Sequence, residues 1–179
     1  MAIVLASTSP YRRELMHRLR LPFEVVAPDV DEARLPAEAP LALARRLAEA
    51  KATEVARRRP DAVVIGSDQV AELDGEPIGK PHTHAAALAQ LELMQGRRLV
   101  FHTALAVAAH EHVEVDSIPT TVTFRRLARD ALEAYLRADQ PDRKYTWFVR
   151  VVQVTTDGQG GERVIPLSPP SGMRAFYWG

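Results

Sequence analysis

The chain has 179 residues, enough for one domain with a sizeable core, and its 23 Lys plus Arg balance its 23 Asp plus Glu. A chain without net charge lacks the broad basic field of a non-specific nucleic-acid binder, so no nucleic acid polymer is expected as a partner and basic groups matter only locally. Zero cysteines remove disulfides and thiolate metal sites and fit a reducing compartment. The apolar start from Met1 to Ala6 is too short for a signal-peptide core, and no apolar run approaches the roughly 18 residues of a membrane span. The expectation is a cytoplasmic protein that engages no membrane.

In chain order, Ile3 to Ala6 read as a short buried strand, followed by the hydroxyl-rich loop Ser7-Thr8-Ser9 and a helix that Pro10 opens. Leu15 and Leu19 are expected to give that helix an apolar stripe. Phe23 to Ala27 look like a strand, and Pro28 to Glu32 like an acidic loop. Leu41 to Arg59 form a long helix with a stripe of Leu43, Leu47, Ala50 and Val55, which leaves most of Arg45, Arg46, Arg57, Arg58 and Arg59 on a solvated face. Ala62 to Gly66 are a continuous apolar run of the kind found in central parallel strands, delivering Ser67-Asp68-Gln69 at the carboxyl end. Val70 to Ile78 read as a hairpin turning at Asp74-Gly75. Thr83 caps a helix that Gly96 ends. Leu99 to Ala108 and Val113 to Phe124 are strand-rich, and Asp130 to Leu136 form a short helix. Strands alternating with helices imply an α/β fold with a mixed central sheet, flanking helices and a cleft. Trp147 to Thr155 are compatible with a strand, whereas Gly and Pro clusters break up the chain beyond it.

Several residues are candidates for chemistry. The strand-to-helix junction at Ser7 to Arg13 points free N–H groups and the positive helix end toward one place, where Arg12 and Arg13 add planar forks suited to phosphate. An ordinary N-cap with solvated arginines would explain the same residues. Asp68, at a strand end above the sheet's carboxyl edge, either holds Mg²⁺ together with substrate phosphates or caps a turn. Gln69 is placed to position a water or read a base. Lys80, on the stiff Gly79-Lys80-Pro81 loop, offers a point charge to phosphate. Glu32 is a candidate second metal ligand or general base. Lys51 shares a helix side with Leu47 and Val55, and so either snorkels or reaches into a cleft. The H-x-H pairs at His82/His84 and His110/His112 lack any carboxylate or cysteine pattern that would complete a zinc site. No serine-hydrolase elbow, Walker loop or G-x-G-x-x-G is present.

Taken together, Leu5 to Leu15, Ala27 to Glu32, Ala50-Lys51-Ala52, Gly66 to Val70 and Gly79-Lys80-Pro81 closely resemble the Maf family of nucleotide pyrophosphatases, in order and spacing as far as about Pro141. The resemblance implies a Maf/ITPase-like fold and cleavage of nucleoside triphosphates between the α and β phosphates with a divalent cation, Mg²⁺ or Mn²⁺. It implies Asp68 as the essential acid at the metal or water, with Glu32 assisting at the metal. Ser7, Arg12, Arg13, Lys51 and Lys80 would hold phosphates. Ser67-Asp68-Gln69-Val70 looks like the branch acting on 7-methyl-GTP, where the dTTP/UTP branch carries Ala-Asp-Thr. The resemblance divides the chain into a core, residues 1–141, and a divergent segment of the same domain, residues 142–179. From Asp142 to Arg150 only Phe148 falls where the family pattern places it, and the expected glycine, lysine, glutamate and final helix are missing. A pyrimidine-triphosphate enzyme and a nucleotide-binding regulator with weakened turnover are the competing readings. A homodimer is left open.

Overall fold

The computed structural model describes residues 1–138 and, as backbone, the strand pair Val152–Thr156 and Glu162–Pro166. The chain begins with β1 (Ala2–Ala6), α1 (Pro10–His17) and β2 (Glu24–Val26), continues through α2 (Pro40–Arg58), β3 (Ala62–Leu73), β4 (Glu76–Ile78) and α3 (His84–Met94), and then forms β5 (Arg98–Ala109), β6 (His112–Thr123) and α4 (Arg129–Ala138). The six strands make one mixed sheet in the order β2-β1-β3-β5-β6, with β4 added to β3. β1 is parallel to β2 and β3, whereas β3, β5 and β6 are joined antiparallel. The later pair, β7 (Val152–Thr156) and β8 (Glu162–Pro166), is antiparallel. The expected strand is met in its last four residues, 152–155, and β8 was not expected. The divergent stretches 142–151, 157–161 and 167–179 lie outside the described residues.

Local chemistry accounts for most boundaries. Pro10 and Pro40 occupy first helical turns, where a missing N–H costs nothing. The Thr83 hydroxyl accepts the Ala86 N–H at 3.2 Å and caps α3. Asp74 and Gly75 both take positive φ, 53° and 87°, as the tight turn between β3 and β4 requires. One expectation fails at α1, which ends at His17. Leu19 lies beyond it, and Leu15 and Leu19 remain 49% and 57% exposed, so the helix buries Met16 in place of a leucine stripe.

Alternation along β3 and β5 sorts the core into two faces. Even-numbered residues, among them Val64, Val70, Ala104, Ala106 and Ala108, pack with Leu43, Ala44, Leu47, Ala48, Ala52 and Val55 of α2. Odd-numbered residues Ala71, Leu73, Leu99 and Phe101 meet Leu88, Leu91 and Met94 of α3 and Leu132 and Leu136 of α4 on the other face. The α2 face is close-fitting: a Cβ on Gly66 would stand 2.4 Å from the Ala48 carbonyl oxygen and 2.6 Å from the Ala52 nitrogen. Ala50, expected in the buried stripe, is only half-buried; Ala44, Ala48 and Ala52 take that place.

The apolar run at 62–66 is not a complete strand. β3 continues for 12 residues, so Asp68 lies in mid-strand, neither at the strand end nor capping a turn. The polar triplet does not stop the strand because β5 pairs with it throughout, Asp68 facing Ala104. It is β1 that stops, at Ala6 opposite Gly66, while β4 takes up the same edge of β3 only from Ala71. The carboxyl edge of the parallel strands therefore crosses β3 beside Asp68, and among the described residues the edge between Gly66 and Ala71 has no strand partner.

Candidate active site

At this interruption the structure buries four polar side chains: Ser7, Ser9, Lys51 and Asp68. Lys51 projects from the apolar face of α2, as its spacing from Leu47 and Val55 demands. It does not snorkel to solvent: its Nζ lies 2.7 Å from Asp68 Oδ1 and 2.7 Å from Glu32 Oε1. Asp68 is delivered by β3, and Glu32 by the loop after β2. Three separated segments thus meet at one ammonium. The Asp68 side chain is 8% exposed and that of Glu32 58%, so the arrangement runs from the interior to solvent.

Burial pushes the Asp68 carboxyl above its ordinary pKa; Lys51 and Arg12 pull it down, and Glu32 adds to the rise. Arg12 senses the same pair: burial lowers its guanidinium pKa, and the fields of Asp68 and Glu32 raise it. A carboxylate in a sparsely solvated pocket needs compensating cations, and Lys51 and Arg12 supply them.

The serine loop serves its own backbone. Ser7 Oγ accepts the Ser9 N–H at 3.1 Å, and Ser9 Oγ accepts the Arg12 N–H at 3.4 Å, so capping explains both buried hydroxyls as acceptors. Each hydroxyl retains a proton to donate.

Other candidates fall elsewhere. Gln69, adjacent to Asp68 in a strand, points to the opposite sheet face, where its Nε2 donates to Thr103 Oγ1 at 2.7 Å. Its side chain is therefore on the face opposite Asp68 and not beside that carboxylate, where positioning a water would require it. Arg13 and Lys80 are exposed, and no contact among the described residues joins either to Asp68. His84 and His112 meet Glu133 and Glu114 separately.

Sequence reasoning missed Arg46. Placed on a solvated face by the helix pattern, it is half-buried and clasps Glu38 through Nε to Oε1 at 2.6 Å and Nη2 to Oε2 at 2.8 Å. The same Nη2 reaches the Ala33 carbonyl oxygen at 2.9 Å. This pairing is the largest influence holding Glu38 down at a pKa of about 2. Arg58 likewise donates to the Ala27 carbonyl at 2.8 Å. A helical pattern shows which side faces water, not which loop returns over it; an acidic loop before an arginine-rich helix was the available signal.

The donor set fits a hard divalent cation. Asp68 and Glu32 both meet the Lys51 ammonium at 2.7 Å, and a pair of carboxylates leaving positions for phosphate oxygens and water is a set that suits Mg²⁺. Among the described residues no cluster of three or more His, Cys, Asp or Glu side chains adds a further ligand.

Comparison with known proteins gives this arrangement a family. The model of the Maf-like protein family matches residues 2–146. The chain is 59% identical over 141 residues to the 7-methyl-GTP pyrophosphatase of Polaromonas sp., covering 78% of this chain and 64% of that protein. It is 55% identical over 141 residues to the protein of the same name from Albidiferax ferrireducens, covering 78% and 71%. Among solved structures, the Staphylococcus aureus Ham1 protein aligns over 68% of this chain and 70% of its own at 18% identity with a TM-score of 0.44, a likeness too small to carry an argument. The chain belongs to the Maf-like family. It spans just under two thirds of the length of the Polaromonas relative.

Among the described residues no helix is long and apolar enough to cross a membrane.

Proposed function

We propose that this chain hydrolyses nucleoside triphosphates to the monophosphate and pyrophosphate, with 7-methyl-GTP as substrate and Mg²⁺ or Mn²⁺ as cofactor. The observation that carries the reading is the convergence of Asp68 and Glu32 on Lys51 beside the end of β1. The activity for which the Polaromonas and Albidiferax relatives are named supports the substrate.

The chemistry asks for charge neutralisation on several phosphoryl oxygens and a water in line with the scissile bond, and for no covalent nucleophile. Asp68 and Glu32 would hold the cation, which when bound would neutralise phosphate charge and acidify a water. Lys51, which balances the two carboxylates in the free protein, is positioned to donate to a phosphoryl oxygen brought to the same point. Arg12 adds a second positive charge, lying in the field of both carboxylates. Burial raises the Asp68 pKa in the free protein, and a bound cation would oppose that rise and keep the carboxylate ionised as a ligand. Arg13 and Lys80, exposed in the free protein, would meet the outer phosphates. A cytoplasmic location completes the reading, open to cell fractionation, and sedimentation decides between monomer and homodimer.

The test is pyrophosphate release by the purified chain over 7-methyl-GTP, GTP, dTTP, UTP and CTP, with Mg²⁺ or Mn²⁺. The expected result is metal-dependent pyrophosphate with 7-methyl-GTP fastest. Best turnover of dTTP or UTP would reassign the substrate, and binding without turnover would establish the regulator in place of the enzyme.

A further inference from the structure

We propose that Arg46 is a positioning residue of the reaction centre, holding the loop that presents Glu32 to Lys51 although it touches neither. This inference rests on the proposed function. Residues 27–39 contain no helix or strand, and Glu32 is 58% exposed at its side chain, so the loop's own packing does not fix the carboxylate.

What holds the part of the loop that follows Glu32 is a polar knot around Arg46. The guanidinium grips both oxygens of Glu38 and the carbonyl of Ala33, the residue next to Glu32. Glu38 in turn accepts the Leu35 N–H at 3.1 Å, and its own carbonyl receives Arg34 Nε at 2.8 Å. Asp31 Oδ1 accepts the Ala33 N–H at 2.9 Å. Ala33 and Glu38, on the C-terminal side of Glu32, are thereby tied to one side chain of α2, while Ala27 and Asp29 on its other side bond to Arg58 and Glu54 of the same helix. Arg46 and Lys51 lie on the same rigid helix, five positions apart in the sequence. The backbone positions of the loop's anchor and of the lysine that Glu32 reaches are therefore held at a fixed separation by helix geometry. A planar fork with parallel donors suits three acceptors in this layout, and an ammonium does not.

The test is a double-mutant cycle with Arg46→Ala and Glu32→Gln, read as the Mg²⁺ concentration for half-maximal pyrophosphate release, together with amide hydrogen exchange across residues 31–35. If Arg46 acts through Glu32, each single variant raises the Mg²⁺ requirement on the order of ten- to a hundredfold, the range for partners that orient ligands. The double variant is then no worse than Glu32→Gln alone. Arg46→Lys fails to restore the requirement, and exchange at 31–35 accelerates in Arg46→Ala while the β3 and β5 amides stay protected. Additive effects in the cycle, full rescue by lysine, or unchanged exchange at 31–35 would each overturn the proposal. Exchange at 31–35 reads the holding of the loop without turnover, so an inactive wild-type chain counts against the proposed function, and unchanged exchange counts against the role of Arg46.

Discussion

The two faces of the sheet solve the same burial problem with opposite materials. Against α2 the core is built from Ala6, Ala44, Ala48, Ala52, Ala62, Ala104, Ala106 and Ala108 with a few valines and leucines. Against α3 and α4 it is built from Leu73, Leu88, Leu91, Met94, Leu99, Phe101, Leu132 and Leu136. Large side chains hold a helix away from a sheet and gain burial by area. Small ones sacrifice area for approach, and the approach brings the Lys51 ammonium within 2.7 Å of a carboxylate in the middle of β3. The α2 face thus carries the buried ion pair, and the α3/α4 face supplies bulk apolar burial.

The contrast predicts different modes of failure. Leu99, 1% exposed, should respond to Leu99→Ala with the largest stability loss, about 2–5 kcal/mol from transfer and cavity terms. Urea denaturation measures that loss, and KM should change little at temperatures where the variant stays folded. Gly66→Ala should fail by overpacking, at about 1–3 kcal/mol, because the new methyl group meets helix backbone and not a flexible tip. Since α2 must retreat and carry Lys51 with it, pyrophosphate release should fall disproportionately to the stability loss. An equal ratio of activity to stability in the two variants would erase the distinction between faces.

The charge on the α2 face can be probed by pH. Lys51 lowers the Asp68 pKa against a larger upward push from burial. Removing the ammonium in Lys51→Met therefore raises that pKa further, and the acid limb of the pH–rate profile should move to higher pH, because the ionised carboxylate is then available only above a higher value. An unmoved limb would detach Asp68 from the observed titration. The smallest effect belongs to the far side: Thr83→Ala removes the α3 cap and should cost about 1 kcal/mol, seen by thermal denaturation, with the acid limb unchanged.

Much of this was legible from local chemistry. Asp74-Gly75 and Thr83 mark their turn and cap because the conformations they support are set by neighbours in sequence. Lys51 was placed on the right helix side by periodicity, which left open only whether it met a partner. Asp68 was found as a residue but misplaced in its strand, since an apolar run ending in three polar residues does not reveal that β5 continues to pair beside it. Gln69 illustrates the consequence: once β3 is continuous, adjacent residues face opposite ways, and its amide goes to Thr103. Arg46 escaped for a related reason, because its partners return from a loop whose path no helical pattern encodes.

The most direct measurement of the central claim is pyrophosphate release from 7-methyl-GTP by Asp68→Asn, with circular dichroism and cooperative unfolding measured on the same sample. The substitution removes one negative charge at nearly constant shape. The account predicts a folded protein whose release is abolished at every Mg²⁺ concentration; a folded Asp68→Asn protein turning over at the wild-type rate would contradict it.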